Sequence, residues 1–293
     1  MKSMGYVLGV DVGGTKVLAG YVRGDGTVVC SKRYPMDRSN MASALASVYG
    51  AAADFLKENQ DKPQPLAAGF GLVGRCDPAE GKWVQAVNIP ITESVELAAE
   101  IKRRHGFEAY LDNDVFCATQ AEIRFGAGKR YKDFVLVNIG TGLSMGIVAD
   151  GRLIRGAGNV AGEIGQCLLS PDNADETLEQ RASGGGMAAR ALAKEGLGKE
   201  QIEQIEEDAF SALSWVVSSI IAVFNPEAVV LAGGVACVPG LVERFRRYAA
   251  DYAYPSSMKD LKEICLSPLD ARTVGLIGAA SVAWQGIEAT GRY

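Results

Sequence analysis

The chain has almost no histidine: His105 is the only one in 293 residues. It falls near the end of a predicted helix with no partner suggested by the sequence, so it reads as a surface residue. Ser-His-Asp and Cys-His nucleophilic chemistry and histidine-rich metal sites are thereby excluded. The six cysteines, Cys30, Cys76, Cys117, Cys167, Cys237 and Cys265, stand singly. Without a C-x-x-C pair they spell out neither a disulfide framework nor a zinc site, and they read as buried small hydrophobes. Basic clusters are missing too. A net charge of −5 with no sustained basic block argues against a nucleic-acid surface, and Arg103-Arg104 and Arg246-Arg247 read as solvated helix faces. The first six residues hold no apolar core of signal-peptide length, and no later run reads as long and apolar enough to span a bilayer. The expectation is a cytoplasmic protein that associates with neither membrane nor nucleic acid.

What is present is a 48% hydrophobic fraction, enough for one large core or two ordinary ones. Residues 6–12, 16–22 and 27–34 read as three short strands, with Gly13-Gly14 and Gly24-Asp25-Gly26 supplying the turns. Met41, Leu45, Val48, Ala52, Phe55 and Leu56 recur at helical spacing behind a Ser39-Asn40 cap, and Pro63 and Pro65 end that segment. A strand at 66–73, an irregular stretch at 74–90, a helix at 93–105, a strand at 107–111 and a helix at 115–125 follow. Asn113 and Asp114 thus fall between a strand's C-terminal end and a helix's N-terminus, where ligands of open α/β sheets gather.

The opening pattern then returns. Residues 14–22 align without gaps on residues 140–148, with a strand-like 134–139 in front and the turn Asp150-Gly151 behind. A repeat at this separation suggests two similar domains, each with one glycine loop. Beyond it lie a glycine-rich loop at 156–165 holding Glu163, a polar stretch at 170–176, and helices at 187–194, 199–207 and 209–224. A strand at 228–231 leads to Gly233-Gly234, and a helix at 240–252, a strand at 264–268 and a small-residue helix at 273–284 close the chain. With no linker between the halves, the boundary is expected to be a hinge within 112–129.

Phosphoryl transfer to an alcohol needs a cradle for the triphosphate, Mg²⁺ to neutralise it, and a carboxylate to take the hydroxyl proton. Asp11 is the metal-side candidate, binding Mg²⁺ through water. Gly13, Gly14, Thr15 and Lys16 with Gly140, Thr141 and Gly142 are candidates for the cradle, and Asp114 for the base. Each has a plainer reading. Gly13-Gly14 suits an ordinary hairpin turn, Asp114 could merely cap the following helix, Glu163 and Gln166 could be an exposed loop acid and a turn amide, and Asn88 could satisfy its own loop.

Asp11-x-Gly-Gly-Thr, the 71–90 stretch ending Asn-Ile-Pro, Asn113-Asp114, Gly140-Thr141-Gly142, Ala161-Gly162-Glu163-Ile164-Gly165, Leu178-Glu179 with Ser183-Gly184, and Leu231-Ala232-Gly233-Gly234 stand in a telling order. In this the chain resembles, over nearly its whole length, the ROK family of bacterial sugar kinases and related regulators. The resemblance implies an α/β protein of the actin-like, hexokinase-like ATPase fold, with two βββαβα-type domains and a cleft between them. The smaller domain would comprise 1–112 with the C-terminal helix 272–293, and the larger 113–271. It further implies an ATP- and Mg²⁺-dependent sugar kinase. Asp114 would be the general base for a sugar hydroxyl, usually that at carbon 6. Asn88, Asn113, Glu163, Gln166 and Glu179 would bind the other hydroxyls, and Gly233 and Gly234 would form the adenosine-side turn. The family commonly forms homodimers or homotetramers, and a homodimer is expected.

The chain departs from the family pattern in one region. Where many members read Gly-His after Glu-Ile and follow with a cysteine cluster, this chain has Gly165-Gln166 and no cysteine from Leu168 to Thr177. No zinc is therefore expected, since a closed site needs four ligands. The 168–178 loop is expected to be held by packing alone, and recognition at one sugar hydroxyl to be altered. The alternative is a non-catalytic sugar-binding regulator or scaffold of the same family. Family repressors carry an N-terminal helix-turn-helix, and the residues ahead of Asp11 leave no room for one.

Overall fold

The computed structural model describes residues 5–86, 88–170, 173–193 and 198–291. Its elements run β1 (Tyr6–Val12), β2 (Lys16–Arg23), β3 (Val28–Pro35), α1 (Met41–Glu58), β4 (Ala68–Leu72), β5 (Arg75–Asp77), β6 (Lys82–Gln85), α2 (Leu97–His105), β7 (Ala109–Asn113) and α3 (Asp114–Phe125). They continue with β8 (Phe134–Ile139), β9 (Leu143–Ala149), β10 (Arg152–Ile154), β11 (Leu168–Ser170), β12 (Asn173–Thr177), α4 (Leu178–Ala182), α5 (Gly184–Leu192) and α6 (Lys199–Phe224). The last are β13 (Ala228–Ala232), α7 (Leu241–Tyr252), α8 (Ser257–Asp260), β14 (Glu263–Leu266) and α9 (Val274–Ala289). The chain divides into two compact units, Met1–Phe125 with Leu269–Tyr293, and Gly126–Pro268.

The first unit is built on a sheet of order β3-β2-β1-β4-β7. Its first three strands are antiparallel, and β1, β4 and β7 are parallel. Val7, Leu8, Val10 and Val12 are all fully buried, the continuous apolar run expected of a strand covered on both faces. One face is covered by α1 through Ala44, Val48, Ala51, Ala52 and Phe55, a helix started by Asn40, whose side chain accepts the Ser43 N–H. The other is covered by α9, whose small residues let it approach closely: a Cβ on Gly69 would fall 1.9 Å from the Ala279 carbonyl oxygen.

The second unit repeats the plan in the order β10-β9-β8-β13-β14. Again three strands are antiparallel, and two more join parallel to β8. The repeat seen in the sequence is therefore a repeat of whole sheets, and the fold is the mixed α/β architecture expected. Its core gathers Val135, Val137, Leu213, Val217, Ile220, Val229, Leu231 and Phe245.

Several expectations are corrected. The helices expected at 199–207 and 209–224 are one helix, α6, of 26 residues. Glu207 and Asp208, where the two expected helices meet, lie on its surface and pair with Arg244 and Arg190. At that length α6 is apolar enough to cross a membrane, contrary to the reading of the sequence; here Ile205, Leu213, Val217 and Ile221 bury its apolar face in the core. Helix α3 lies with the first unit, because it packs along α9: Gln120 and Gln285 hydrogen-bond at 2.6 Å, and Arg124 pairs with Glu288. The stretch 74–90 contains the β5–β6 hairpin. Cys76 and Cys117 are buried as expected, whereas Cys167 and Cys237 are exposed. His105 is half-buried and stacked on Phe107, and burial followed by the charge of Arg104 lowers its pKa.

Candidate active site

In the first unit the candidate residues collect at the ends of β1 and β7. Strands β1 and β2 pair out to Val12 and Val17, leaving 13–16 as a turn closed by the Gly13 N–H on the Lys16 carbonyl at 3.0 Å. The glycine loop is thus a hairpin turn in geometry, and a turn of this kind can still face an anion with its amides. Asn88 stands beside it with an exposed side chain, its Cβ 3.8 Å from where a Gly14 Cβ would be.

Asp11 is turned toward the first turn of α9. A Cβ on Gly275 would lie 2.6 Å from its carboxyl carbon, so the glycine makes room for the acid near the positive end of that helix. Burial pushes the Asp11 carboxyl up to about 6, and the charge of Lys16 works against that rise. The register runs Asp11, Gly71, Asp112 across β1, β4 and β7, which sets the two acids about 10 Å apart. Burial, then the charge of Asp112, with Cys76, Asp114 and Asp11 adding, holds the Cys117 thiol well above its usual pKa. The charges of Asp112, Asp114 and Asp11 thus all act on the Cys117 thiol. A hydrated Mg²⁺ fits this chemistry, since it is usually held by one or two carboxylates and the substrate's phosphates.

Strand β7 hands over to α3 at Asn113-Asp114. The cap of α3 is Asn113: its Oδ1 accepts the N–H groups of Val115 at 2.9 Å and Phe116 at 3.3 Å, and its Nδ2 donates to the Gly74 carbonyl. Asp114 follows as the first residue of the helix, half-buried, with Oδ1 accepting from Val115.

In the second unit, β8 and β9 pair out to Ile139 and Leu143, so the second turn is 140–142. It is one residue shorter than the first, the extra residue being Gly13, just before the stretch that aligns without gaps. Here the backbone directions can be worked out. The Gly140 carbonyl accepts from Gly184 at 2.8 Å and the Thr141 carbonyl from Gly185 at 3.0 Å, both at the start of α5. Peptides are trans, so each N–H points opposite to the carbonyl of its own peptide. The amides of Thr141 and Gly142 therefore both point away from α5, an arrangement that can receive an anion. Sequence reasoning missed this part of the scaffold. Its only signal was Ser183-Gly184-Gly185-Gly186, glycines that approach the loop and α4 too closely for side chains: Cβ atoms there would meet carbonyl oxygens at 2.9, 2.6 and 2.3 Å.

Glu179, in the first turn of α4, accepts the Leu143 N–H at 2.8 Å. Glu163 precedes a short 3₁₀ turn, Ile164–Gln166, whose last residue is exposed. Gly162 allows this by its φ of +95°; a Cβ there would lie 1.9 Å from the Met145 carbonyl oxygen. Partial desolvation, and then the charge of Glu179, raise the Glu163 pKa, so these two acids are neighbours. Gly233, at φ +89°, turns directly against the end of β8, where a Cβ would lie 2.4 Å from the Ile139 carbonyl oxygen. Gly234 follows, opening a 3₁₀ turn. The 140–142 loop, Glu163, Gln166, Glu179 and Gly233-Gly234 thus belong to one end of one sheet.

The 168–178 segment has more than packing to hold it. It forms the β11–β12 hairpin, closed by the Leu178 N–H on the Cys167 carbonyl. Thr177 and Gln180 form a capping box. Glu176 pairs with Arg181, and Arg190 ties Asp208 of α6 to the Arg181 carbonyl. Leu168, Leu169 and Leu178 line an apolar cavity of about 220 Å³ with Trp215 and Ile220 of α6.

A family model described as the ROK family matches residues 7–285. The chain is 31% identical over 289 residues to the bifunctional enzyme NanE/NanK of Brucella melitensis, which takes in 94% of this chain and 54% of that protein. It thus spans about half the length of that relative. Its identity to the glucokinase of Thermotoga maritima is 27% over 312 residues, covering 94% of this chain and 96% of the other. Among solved structures, a ROK family glucokinase from Streptomyces griseus in complex with glucose and AMPPNP matches with a TM-score of 0.75 at 26% identity, covering 96% of this chain and all of the other.

Proposed function

The chain belongs to the ROK family, and on that premise we propose that it transfers the terminal phosphoryl group of ATP to a hydroxyl, the one at carbon 6, of a hexose or close analogue. The observation that carries the reading is the division of labour at the head of α3. Asn113 caps the helix through Val115 and Phe116, and Asp114, whose Oδ1 shares the Val115 N–H, stands at the C-terminal edge of the parallel strands. A helix N-terminus favours the ionised carboxylate, the form that accepts a proton.

The remaining residues follow by chemistry. Two glycine turns at equivalent places in two equivalent sheets supply backbone amides for the phosphates, with Gly233-Gly234 toward the adenosine. Asn88, Asn113, Glu163, Gln166 and Glu179 supply donors and acceptors for a polyol, each hydroxyl of which wants both. Asn113 spends its carbonyl oxygen on α3 and one amide hydrogen on the Gly74 carbonyl, which leaves its second N–H for a sugar. Mg²⁺, held through water at Asp11, would neutralise the triphosphate.

The test is a coupled assay of ADP release against hexoses, amino sugars, glycosides and cyclitols, repeated with polyphosphate as donor. Sugar-dependent ADP formation that requires Mg²⁺ supports the reading. Tight sugar binding without ADP formation would replace it with a non-catalytic sugar-binding protein.

A further inference from the structure

Three hydrogen bonds hang the 140–143 segment on the α4–α5 junction, and only one of them comes from a side chain. Gly184 and Gly185 hold the carbonyls of residues 140 and 141 through their own backbone. The third is the Leu143 N–H on Glu179 Oε2, at 2.8 Å. The packing around Glu179 leaves this carboxylate little choice of place: Oε2 lies 2.8 Å from where a Gly142 Cβ would be, and the Glu179 Cβ lies 3.1 Å from where a Gly165 Cβ would be. Two glycines thus admit the acid between the loop and the turn that carries Glu163 and Gln166. The Gly142 carbonyl accepts from Gly140 within the turn at 3.0 Å, which points the next amide, that of Leu143, out to Glu179.

We propose that Glu179 is a positioning residue for the second phosphate loop, so that one carboxylate on the sugar-binding face also fixes, through Leu143, the place of the Thr141 and Gly142 amides whose direction Gly184 and Gly185 set. Resting on the kinase reading above, this makes nucleotide affinity depend on a residue of the sugar site. The position of Oε2 at Leu143 sets the loop, and the rest of the carboxylate remains for a hydroxyl. Loss of the acceptor releases the far leg of the loop at Leu143, so that the two anion-facing amides, whose direction the glycine contacts to α5 set, are no longer held at a fixed position.

The experiment compares Glu179→Gln, Glu179→Asp and Glu179→Ala by hydrogen exchange at the Leu143 amide and by binding of a non-hydrolysable ATP analogue without sugar. Glutamine keeps an acceptor of the same reach; aspartate keeps the charge but is one methylene too short. Leu143 exchange should accelerate at least ten-fold in the Ala and Asp variants and stay within three-fold of wild type in the Gln variant, with β13 amides unchanged as the internal reference. Analogue affinity should fall about ten-fold in the Ala and Asp variants and hold in the Gln variant, whereas KM for the sugar should rise in all three. Equal behaviour of the Gln and Ala variants in both readouts, or a Leu143 amide indifferent to all three changes, would overturn the proposal. If the wild type binds no nucleotide, the kinase reading fails, while the exchange experiment still decides whether Glu179 holds the loop. If the Ala variant does not fold, the Gln and Asp pair makes the same comparison.

Discussion

Asn113 Oδ1 accepts the Phe116 N–H at 3.3 Å and shares the Val115 N–H with Asp114 Oδ1, each at 2.9 Å, so that Asn113 reaches one residue further into α3. Asn113 caps the helix and ties it to the Gly74 carbonyl; Asp114 is the first residue of the helix and the base in the proposed reaction. Stability and turnover should therefore separate on substitution. Asn113→Ala should lower stability by about 1 kcal/mol, the usual effect of losing a cap, measurable as a shift in urea midpoint. Asp114→Asn should leave that midpoint within about 0.5 kcal/mol. A larger loss from the Asp114 change than from the Asn113 change would reverse the assignment of the cap.

Asp11 should give the folded protein a distinctive pH dependence. Its folded pKa of about 6 lies above the ordinary 3.8, so between those values the folded state holds more of the proton than the unfolded state. The stability this contributes is fully present below the unfolded pKa of 3.8 and is lost as pH rises through 6, by on the order of 3 kcal/mol. Denaturant titrations of wild type and Asp11→Asn at pH 4 and pH 7.5 isolate the effect: the wild type should lose stability relative to the variant on going to pH 7.5. Because Mg²⁺ needs the ionised form, apparent Mg²⁺ affinity should tighten across the same interval. Parallel profiles for the two proteins would contradict the buried setting of Asp11.

Gly275 makes room for that carboxylate, since a Cβ would come within 2.6 Å of it. Gly275→Ala should displace the end of a flexible side chain at little cost to folding. It should raise the Mg²⁺ concentration needed for half-maximal activity several-fold, read from a Mg²⁺ titration at fixed ATP. An unchanged titration would place the metal elsewhere.

The 168–178 hairpin is tied down through Glu176, Arg181, Arg190 and Asp208. Arg190→Ala should lower the melting temperature and raise KM for the sugar, because it loosens α4, which carries Glu179. Such half-exposed pairs contribute about 1 kcal/mol or less each, and raised salt should shrink the difference between wild type and variant. Elemental analysis should find no stoichiometric zinc, and a zinc chelator should leave the melting temperature unchanged. A zinc-loaded preparation would show that the hairpin is held in another way.

These features were unequally legible in the sequence. The β1–β2 hairpin and its copy could be read because alternation and glycine turns are local signals, and Asn113-Asp114 fell where a strand gave way to a helix. The turn lengths could not be read, since only the pairing of Val12 with Val17 and of Ile139 with Leu143 shows that Gly13 is extra. Helix α6 reads in the sequence as two helices meeting at Asp208; that the acids there lie on one continuous helix shows only once Glu207 and Asp208 are seen to pair with Arg244 and Arg190, which lie on other elements. The polar run at 170–176 hid the β11–β12 hairpin because it lacks the apolar alternation that marks a strand. The contact of Ser183-Gly184-Gly185-Gly186 with the second loop depends on residues about forty positions apart, which no local pattern encodes.

The most direct test of the account is the rate of sugar-dependent ADP formation by Asp114→Asn against wild type at saturating Mg²⁺, ATP and sugar, with sugar binding measured on the same samples. General-base catalysis predicts a fall in kcat of roughly 10²- to 10⁴-fold with sugar affinity changed by less than ten-fold. Near-normal turnover in the variant would contradict the assignment of Asp114 as the base.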